Sequence, residues 1–191
     1  MTLEIPSITI GQQVWTDRNL DVITFRNGDP IFEAKNEQEW RDMSQQNKPV
    51  CACLDFDSVN AQYYGRYYNW HAVNDPRGLA PAGWHVPDMN EWRQLTDFLG
   101  GELNAGRKMK STHSWVNRGD GTNESGFNAF PGGGVSGGGY FILKGQMGFW
   151  WGTTLDTTQM AYVLILQNIS YGAASRFCSL GEGYSIRCVK D

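Results

Sequence analysis

The segment at residues 161–177, AYVLILQNISYGAASRF, does not alternate as a half-exposed strand should. In an extended chain Val163, Ile165 and Gln167 point one way and Tyr162, Leu164 and Leu166 the other, so both sides are apolar. Antiparallel strands with one wet face usually alternate cleanly between apolar and polar. Either both faces of this strand are buried, or one apolar face is displayed to something other than water.

The pattern elsewhere predicts short elements. Residues 3–35 read as short strands, with a Gly turn in ITIGQQVW and an Asn27-Gly28 hairpin signal. Residues 36–49 read as a short polar helix with Trp40 and Met43 on one side. The clearest helix begins at Asp88, where Asp88 and Glu91 form a capping box. Trp92, Leu95, Phe98 and Leu99 form its apolar stripe, and Gly100-Gly101 ends it. A glycine-rich third without helix signals follows, with strands expected at 147–153, 161–168, 173–178 and 184–190. No linker divides the chain, so residues 1–191 read as one α+β domain.

Composition narrows the classes of partner. At 191 residues the chain can bury a proper core. Charged residues make up 19%, below the roughly 25% usual for soluble domains, and 23 glycines against 7 prolines favour tight turns over long helices. The net charge of -4, with no basic run, argues against nucleic acid, which demands clustered Lys and Arg. No run of apolar residues is long enough to span a membrane. The first residues, MTLEIPSITIGQQVW, lack the basic flank and long apolar run of a signal peptide.

The four cysteines, Cys51, Cys53, Cys178 and Cys188, fall in two distant groups. A bond from Cys51 or Cys53 to Cys188 would close a loop worth about 4–5 kcal/mol in the chain-entropy model. A four-thiolate zinc site fits poorly, because such sites space paired cysteines by about two to four residues. Reduced, buried thiols are the third reading, since cysteine packs as a small hydrophobe.

Reactive groups are sparse. His71, His85 and His113 are scattered, and no nucleophile elbow, H-E-x-x-H pair or phosphate loop occurs. The expectation is a protein without catalytic residues, organic cofactor or bound metal. Asp120, Asn123 and Glu124 could supply oxygen ligands to a hard cation, but an Asx-rich turn accounts for them as well.

The series YGRYYNWHAV, GLAPAGWHVPDMNEWRQLTDFLGG, AGRKMKST, GTNESGFNAFPGG, GFWWGTT and GYSIRCVKD, in that order, resembles the Fibrobacter-type major paralogous domain family over nearly the whole chain. That family is similar to the C-type lectin-like fold of formylglycine-generating enzymes and of variable proteins diversified by retroelements. The resemblance implies a small twisted antiparallel sheet, two flanking helices, long loops and adjacent termini. It also implies a disulfide between Cys51 and Cys188; Cys53 and Cys178 are peculiar to this chain, and whether they form a second pair is open. The sugar-binding motifs of calcium-dependent lectins are missing. Cys178 and Cys188 are spaced wrongly for the cysteine pair of formylglycine-generating enzymes. Trp70, Trp84, Trp92, Trp150 and Trp151 coincide with the motifs and are expected in the core.

Residues 155–182 depart most freely from the family pattern, and the diversified relatives carry their variation in this segment. The implied function is a receptor-binding module on a bacterial cell surface or phage particle, attaching to a cell-surface protein or glycan and presented in a fibre or surface assembly, where it can be oligomeric. A structural surface or tail-fibre module without its own ligand is the alternative, and an oxidase of the formylglycine-generating type a more remote one. The expected ligand-binding residues are Leu155, Asp156, Gln159, Met160, Val163, Ile165, Gln167, Ser175, Phe177, Ser179, Leu180 and Glu182, with Tyr171 at the rim. On this expectation Val163, Ile165 and Gln167 are displayed, and Phe177 and Ile165 are the anchors. The opposing expectation is that the glycine-rich loop at 131–146 covers that face.

Overall fold

The computed structural model describes residues 5–191, so residues 3 and 4 of the first expected strand region lie outside it. In chain order, β1 (Ser7–Ile10) and β2 (Gln13–Thr16) form a hairpin, and β3 (Phe32–Glu33) leads to α1 (Glu37–Gln45) and β4 (Val50–Ala52). Two 3₁₀ turns and α2 (Ala61–Tyr64) precede β5 (Tyr67–Asn69), which runs straight into α3 (Trp70–Val73). Next come β6 (Trp84–His85), α4 (Met89–Phe98) and α5 (Ala105–Met109). The remainder is β7 (Gly134–Val135), β8 (Phe141–Ile142), β9 (Met147–Leu155), β10 (Ala161–Gln167), β11 (Ala173–Cys178), β12 (Gly183–Tyr184) and β13 (Val189–Lys190). The fold of the described residues is mixed α+β, with few helices and three small sheets.

The helix ends follow their sequence signals. The Asp88 carboxylate accepts from the Asn90 and Glu91 amides, and the Glu91 carboxylate accepts from the Asp88 amide, completing the capping box. Trp92, Leu95 and Leu99 are buried as expected, but Phe98 is 63% exposed. Six residues beyond Trp92, Phe98 falls well off the buried stripe at 3.6 residues per turn. It packs instead beside Gly11, at the β1–β2 turn. In α1 the buried positions are Trp40 and Ser44, four residues apart on one face.

The sheets bring the first hairpin and the last strand of the described residues together. β13 pairs with both β2 and β6, so the terminal strand completes a sheet begun near the start of the described chain. The strand expected at 184–190 is in fact two: β12 joins β5 and β7, and β13 crosses to the other sheet. Between them Arg187 is buried over the Phe127 ring, donating to Asn19 Oδ1 at 2.9 Å and to Thr16 O at 2.7 Å. Burial lowers its pKa to about 9. At Asn27-Gly28 a turn forms, with Gly28 at φ +92°, but only a single bridge, Thr24 to Pro30, flanks it.

The third sheet, in the order β11-β10-β9, runs through the middle of the core. Trp151, Val163 and Ile165 pack on one side in a cluster with Tyr68, Trp70 and Tyr184. Trp150, Tyr162, Leu164 and Leu166 pack on the other with Trp92, Met109, Trp115 and Phe127. Each face of β10 therefore meets aromatic residues from other parts of the chain. The Trp151 indole donates to Tyr68 O at 2.7 Å and the Trp92 indole to Trp151 O at 3.3 Å, tying the sheet to both layers.

All four cysteines are free and buried. The disulfide expected between Cys51 and Cys188 is not formed; both sit as thiols in one apolar cluster, where burial pushes each pKa up to about 12. Cys53 and Cys178 do not pair either. Cys53 Sγ accepts from Arg66 Nη1 and Cys178 Sγ from Arg176 Nε, each at 3.0 Å.

Candidate functional site

The display expected of β10 is overturned. Val163 is 0% and Ile165 5% exposed, and the face they share belongs to the core rather than to a surface. The glycine-rich loop is not the main cover; the aromatic residues of β5, α3 and β12 are. Phe177 is half-buried, packed edge-on against Tyr162 with ring centroids 5.9 Å apart, so it closes the rim of the core instead of anchoring a ligand.

The remaining expected residues divide between the two ends of the sheet. At one end Gln167 is half-buried, its carbonyl accepting from the buried Lys110 ammonium at 3.1 Å. Tyr171 is exposed there, with the Arg107 guanidinium 5.1 Å over its ring. Ser175 is exposed on the edge strand β11. At the other end antiparallel pairing sets Ala161 opposite Cys178. The β9–β10 loop and the β11–β12 loop therefore lie side by side. Leu155, Asp156, Gln159, Met160, Ser179, Leu180 and Glu182 all fall here.

Within that group some side chains build and others are offered. Asp156 organises its loop: its carboxylate accepts from the amides of Thr158 and Met160 and from the Thr158 hydroxyl. The Met160 amide first, then Thr158, hold its pKa below the usual carboxylate value. Leu155 packs on the core, and Glu182 accepts from the Tyr184 hydroxyl. Gln159 sits at the tip in the left-handed region, φ +62°, which non-glycine residues seldom adopt.

Gln159, Met160, Ser179 and Leu180 converge on a concavity of about 500 Å³. Its remaining walls are Ser44, Gln45 and Asn47 at the end of α1, His71 on α3, and Gly137 and Gly181. Each wall is fixed. The Leu180 carbonyl accepts from the Trp70 amide at 3.0 Å, and the Gly181 carbonyl from the Trp40 indole at 3.2 Å. At Gly183 a side chain would collide with Trp40 at 2.5 Å, so only glycine lets the loop lie this close to α1. Asn69, fully buried, accepts from the Val50 and Ala72 amides and donates to Lys48 O, clamping α3 to the segment after α1. The Arg41 guanidinium donates to Gly138 O at 3.1 Å, holding the β7–β8 loop in place.

No wall residue carries a formal charge at neutral pH. Burial lowers the pKa of His71, which favours the neutral imidazole, able to donate at one nitrogen and accept at the other. Ser44, Gln45, Asn47, His71 and Gly137 were not foreseen as site residues. The one signal available for Ser44 is a small polar residue four positions after Trp40, where the buried face of α1 calls for an apolar one.

The other chemistry weighed from sequence takes structural roles. Asp120 accepts from the Trp115 amide and Asn123 from the Asn128 amide, as turn-forming side chains do. Among the described residues no three His, Cys, Asp or Glu side chains gather as a metal site needs. His85 bridges Glu91 and Asp191, each at 2.7 Å. No helix among the described residues is long and apolar enough to cross a membrane.

These features define a small α+β module whose rigid aromatic core carries a loop-built recess at one end. The chain belongs to the family described as the Fibrobacter succinogenes major domain, matched over residues 8–190. No curated protein and no solved structure matches it.

Proposed function

We propose that this protein is a non-catalytic binding module of C-type lectin-like fold, attaching to a receptor on a cell surface through the end formed by the β9–β10 and β11–β12 loops. The observation that carries the reading is the convergence of Gln159, Met160, Ser179 and Leu180, from two loops, on one fixed concavity. Gln159, Met160 and Ser179 are exposed and can change at little cost to folding, since substitutions away from the core usually shift stability by less than about 0.5 kcal/mol, whereas Leu180 packs in part against the core. Antiparallel pairing of the last strand near the first supports the lectin-like topology. Cys178 and Cys188 are buried in the core cluster and do not line the recess, as suits structural rather than reactive cysteines. The setting is a bacterial surface or a phage particle, where variation of the β9–β10 and β11–β12 loops would retarget attachment.

The test is attachment of labelled protein to bacterial cells. A variant with alanine at Gln159, Met160, Ser179 and Leu180 should attach at least tenfold more weakly while melting within a few degrees of the parent. Undiminished attachment would defeat the proposal.

A further inference from the structure

Arg187 is a buried cation without an anion. It is 2% exposed, and a pKa of about 9 keeps it charged at neutral pH. Buried charges are normally paired. Among the described residues no carboxylate pairs with Arg187, and Asp17, which acts on it through space, is bonded to Arg18 at 2.9 Å. The groups that do touch it are neutral. Nε donates to Asn19 Oδ1 and Nη1 to Thr16 O, and the guanidinium carbon lies 4.4 Å from the centre of the Phe127 ring.

One nitrogen is left over. Nη2 makes no hydrogen bond among the described residues, yet it is not one of the sealed polar atoms, which are Trp15 Nε1, Ser44 Oγ and Arg66 Nε. An unbonded Nη2 outside that group keeps accessible surface, and Arg187 lines a recess of about 290 Å³. Asp17 and Arg18 form one wall of it, Gln62 and Tyr63 of α2 another, and Asn128 and Phe130 a third. It shares no wall with the concavity at the β9–β10 end. The guanidinium is fixed in place, because the Asn19 oxygen that holds Nε also accepts from the Trp150 indole at 2.9 Å.

We infer that this second recess binds the carboxylate of a small organic acid, with Arg187 Nη2 as its buried counter-charge. Arg18 and Arg187 against Asp17 leave the walls a surplus of one positive charge, which a monoanion cancels. A phosphate dianion overshoots that surplus, and Asp17 repels the excess. A carboxylate oxygen accepting from Nη2 makes a charge-assisted bond, the stronger kind. The carboxamides of Gln62 and Asn128 supply donors for the other oxygen. Tyr63 and Phe130 offer rings to the apolar body of the acid. The volume, at the lower edge of the ~300–1,000 Å³ of small-molecule sites, keeps that body small. The inference is independent of the reading of the β9–β10 end.

The experiment is calorimetric titration of the intact protein with acetate, benzoate and glucuronate, matched by acetamide, benzamide and glucose as neutral counterparts and by inorganic phosphate. The Arg187 Nε–H signal is followed by NMR in the same titrations. Saturable binding of at least one carboxylate is expected, with its neutral counterpart and phosphate at least tenfold weaker and the Arg187 signal shifting along the same curve. Arg187→Lys keeps the charge but loses the fork, and should bind at least tenfold more weakly. Because that change touches the core, Asn128→Asp at the partly exposed wall is the second variant. Aspartate tolerates the left-handed backbone of Asn128, φ +53°, and sets a like charge in the carboxylate's way. It should also bind at least tenfold more weakly, while melting within a few degrees of the parent. The inference is overturned if no carboxylate binds, or if the neutral counterpart or phosphate binds as well. It is equally overturned if either variant, once folded, binds as the parent does, or if the Arg187 signal stays still while a carboxylate binds.

Discussion

Strand β10 and the loop that leads into it differ in what their side chains are for, although they adjoin in sequence. From Ala161 to Leu166 every residue is buried, and the two faces serve two different aromatic clusters. From Thr157 to Met160 every residue is exposed, and the loop is held by one carboxylate and by backbone bonds. The strand's side chains make the fold, and the loop's side chains are free of it. Apolar character on both sides of a strand is thus compatible with a central strand, and one residue beyond its end the side chains leave the core.

The sharpest way to break that contrast is to hollow the supporting layer. Trp151 is fully buried, and Trp151→Ala should cost about 3–5 kcal/mol in denaturant unfolding. A smaller loss than 1 kcal/mol would mean the central sheet is not the support described. Ile165→Ala should cost about 2–5 kcal/mol and reduce attachment only in proportion to the unfolded fraction. If it abolishes attachment while the melting temperature holds, the display of that face, rejected here on burial, is restored. Phe177→Ala, at a half-buried rim position, should cost about 1 kcal/mol, roughly half of what full burial of such a ring contributes.

The His85 bridge offers a smaller, pH-dependent effect. Burial opposes its charge, but the hydrogen bonds and charges of Glu91 and Asp191 outweigh that, and the net pKa is raised. A raised folded-state pKa stabilises fully below the unfolded value of about 6.5 and is lost as pH rises through the folded value. His85→Gln should therefore destabilise more at pH 5 than at pH 8, modestly, because the pair is partly exposed. An equal effect at both pH values would remove the ion pairs from the account. The smallest effect concerns the thiols: a reducing agent should leave the melting temperature of the native protein unchanged. A fall of several degrees would reveal a disulfide that the structure does not contain.

Much of this fold is legible in the chain. Asp88 and Glu91 mark the start of α4 because a capping box is local chemistry, and the glycine pair after Leu99 marks its end for the same reason. The strands β9, β10 and β11 are also readable, since each is longer than the turns between them. Helix α5 is not, because five residues carry no period, and the break between β12 and β13 is hidden because residues 184–190 change sheets without a turn signal. Alternation reports that both sides of β10 are apolar, but what covers a side is decided by Tyr68, Trp70 and Tyr184, far away in sequence. The same holds for the recess. Gln159, Met160, Ser179 and Leu180 lie in the 155–182 segment singled out from the sequence, whereas Ser44, Asn47 and His71 join them only through the clamp of Asn69 and the pairing of β12 with β5.

Amide hydrogen exchange on the intact protein, with and without bacterial cell-surface material to which it attaches, tests the central claim most directly. Protection on binding should appear at residues 156–160 and 179–181, with the amides of β10 slow in both states. Protection centred on residues 168–175 and 103–107, at the opposite end of the sheet, would contradict it.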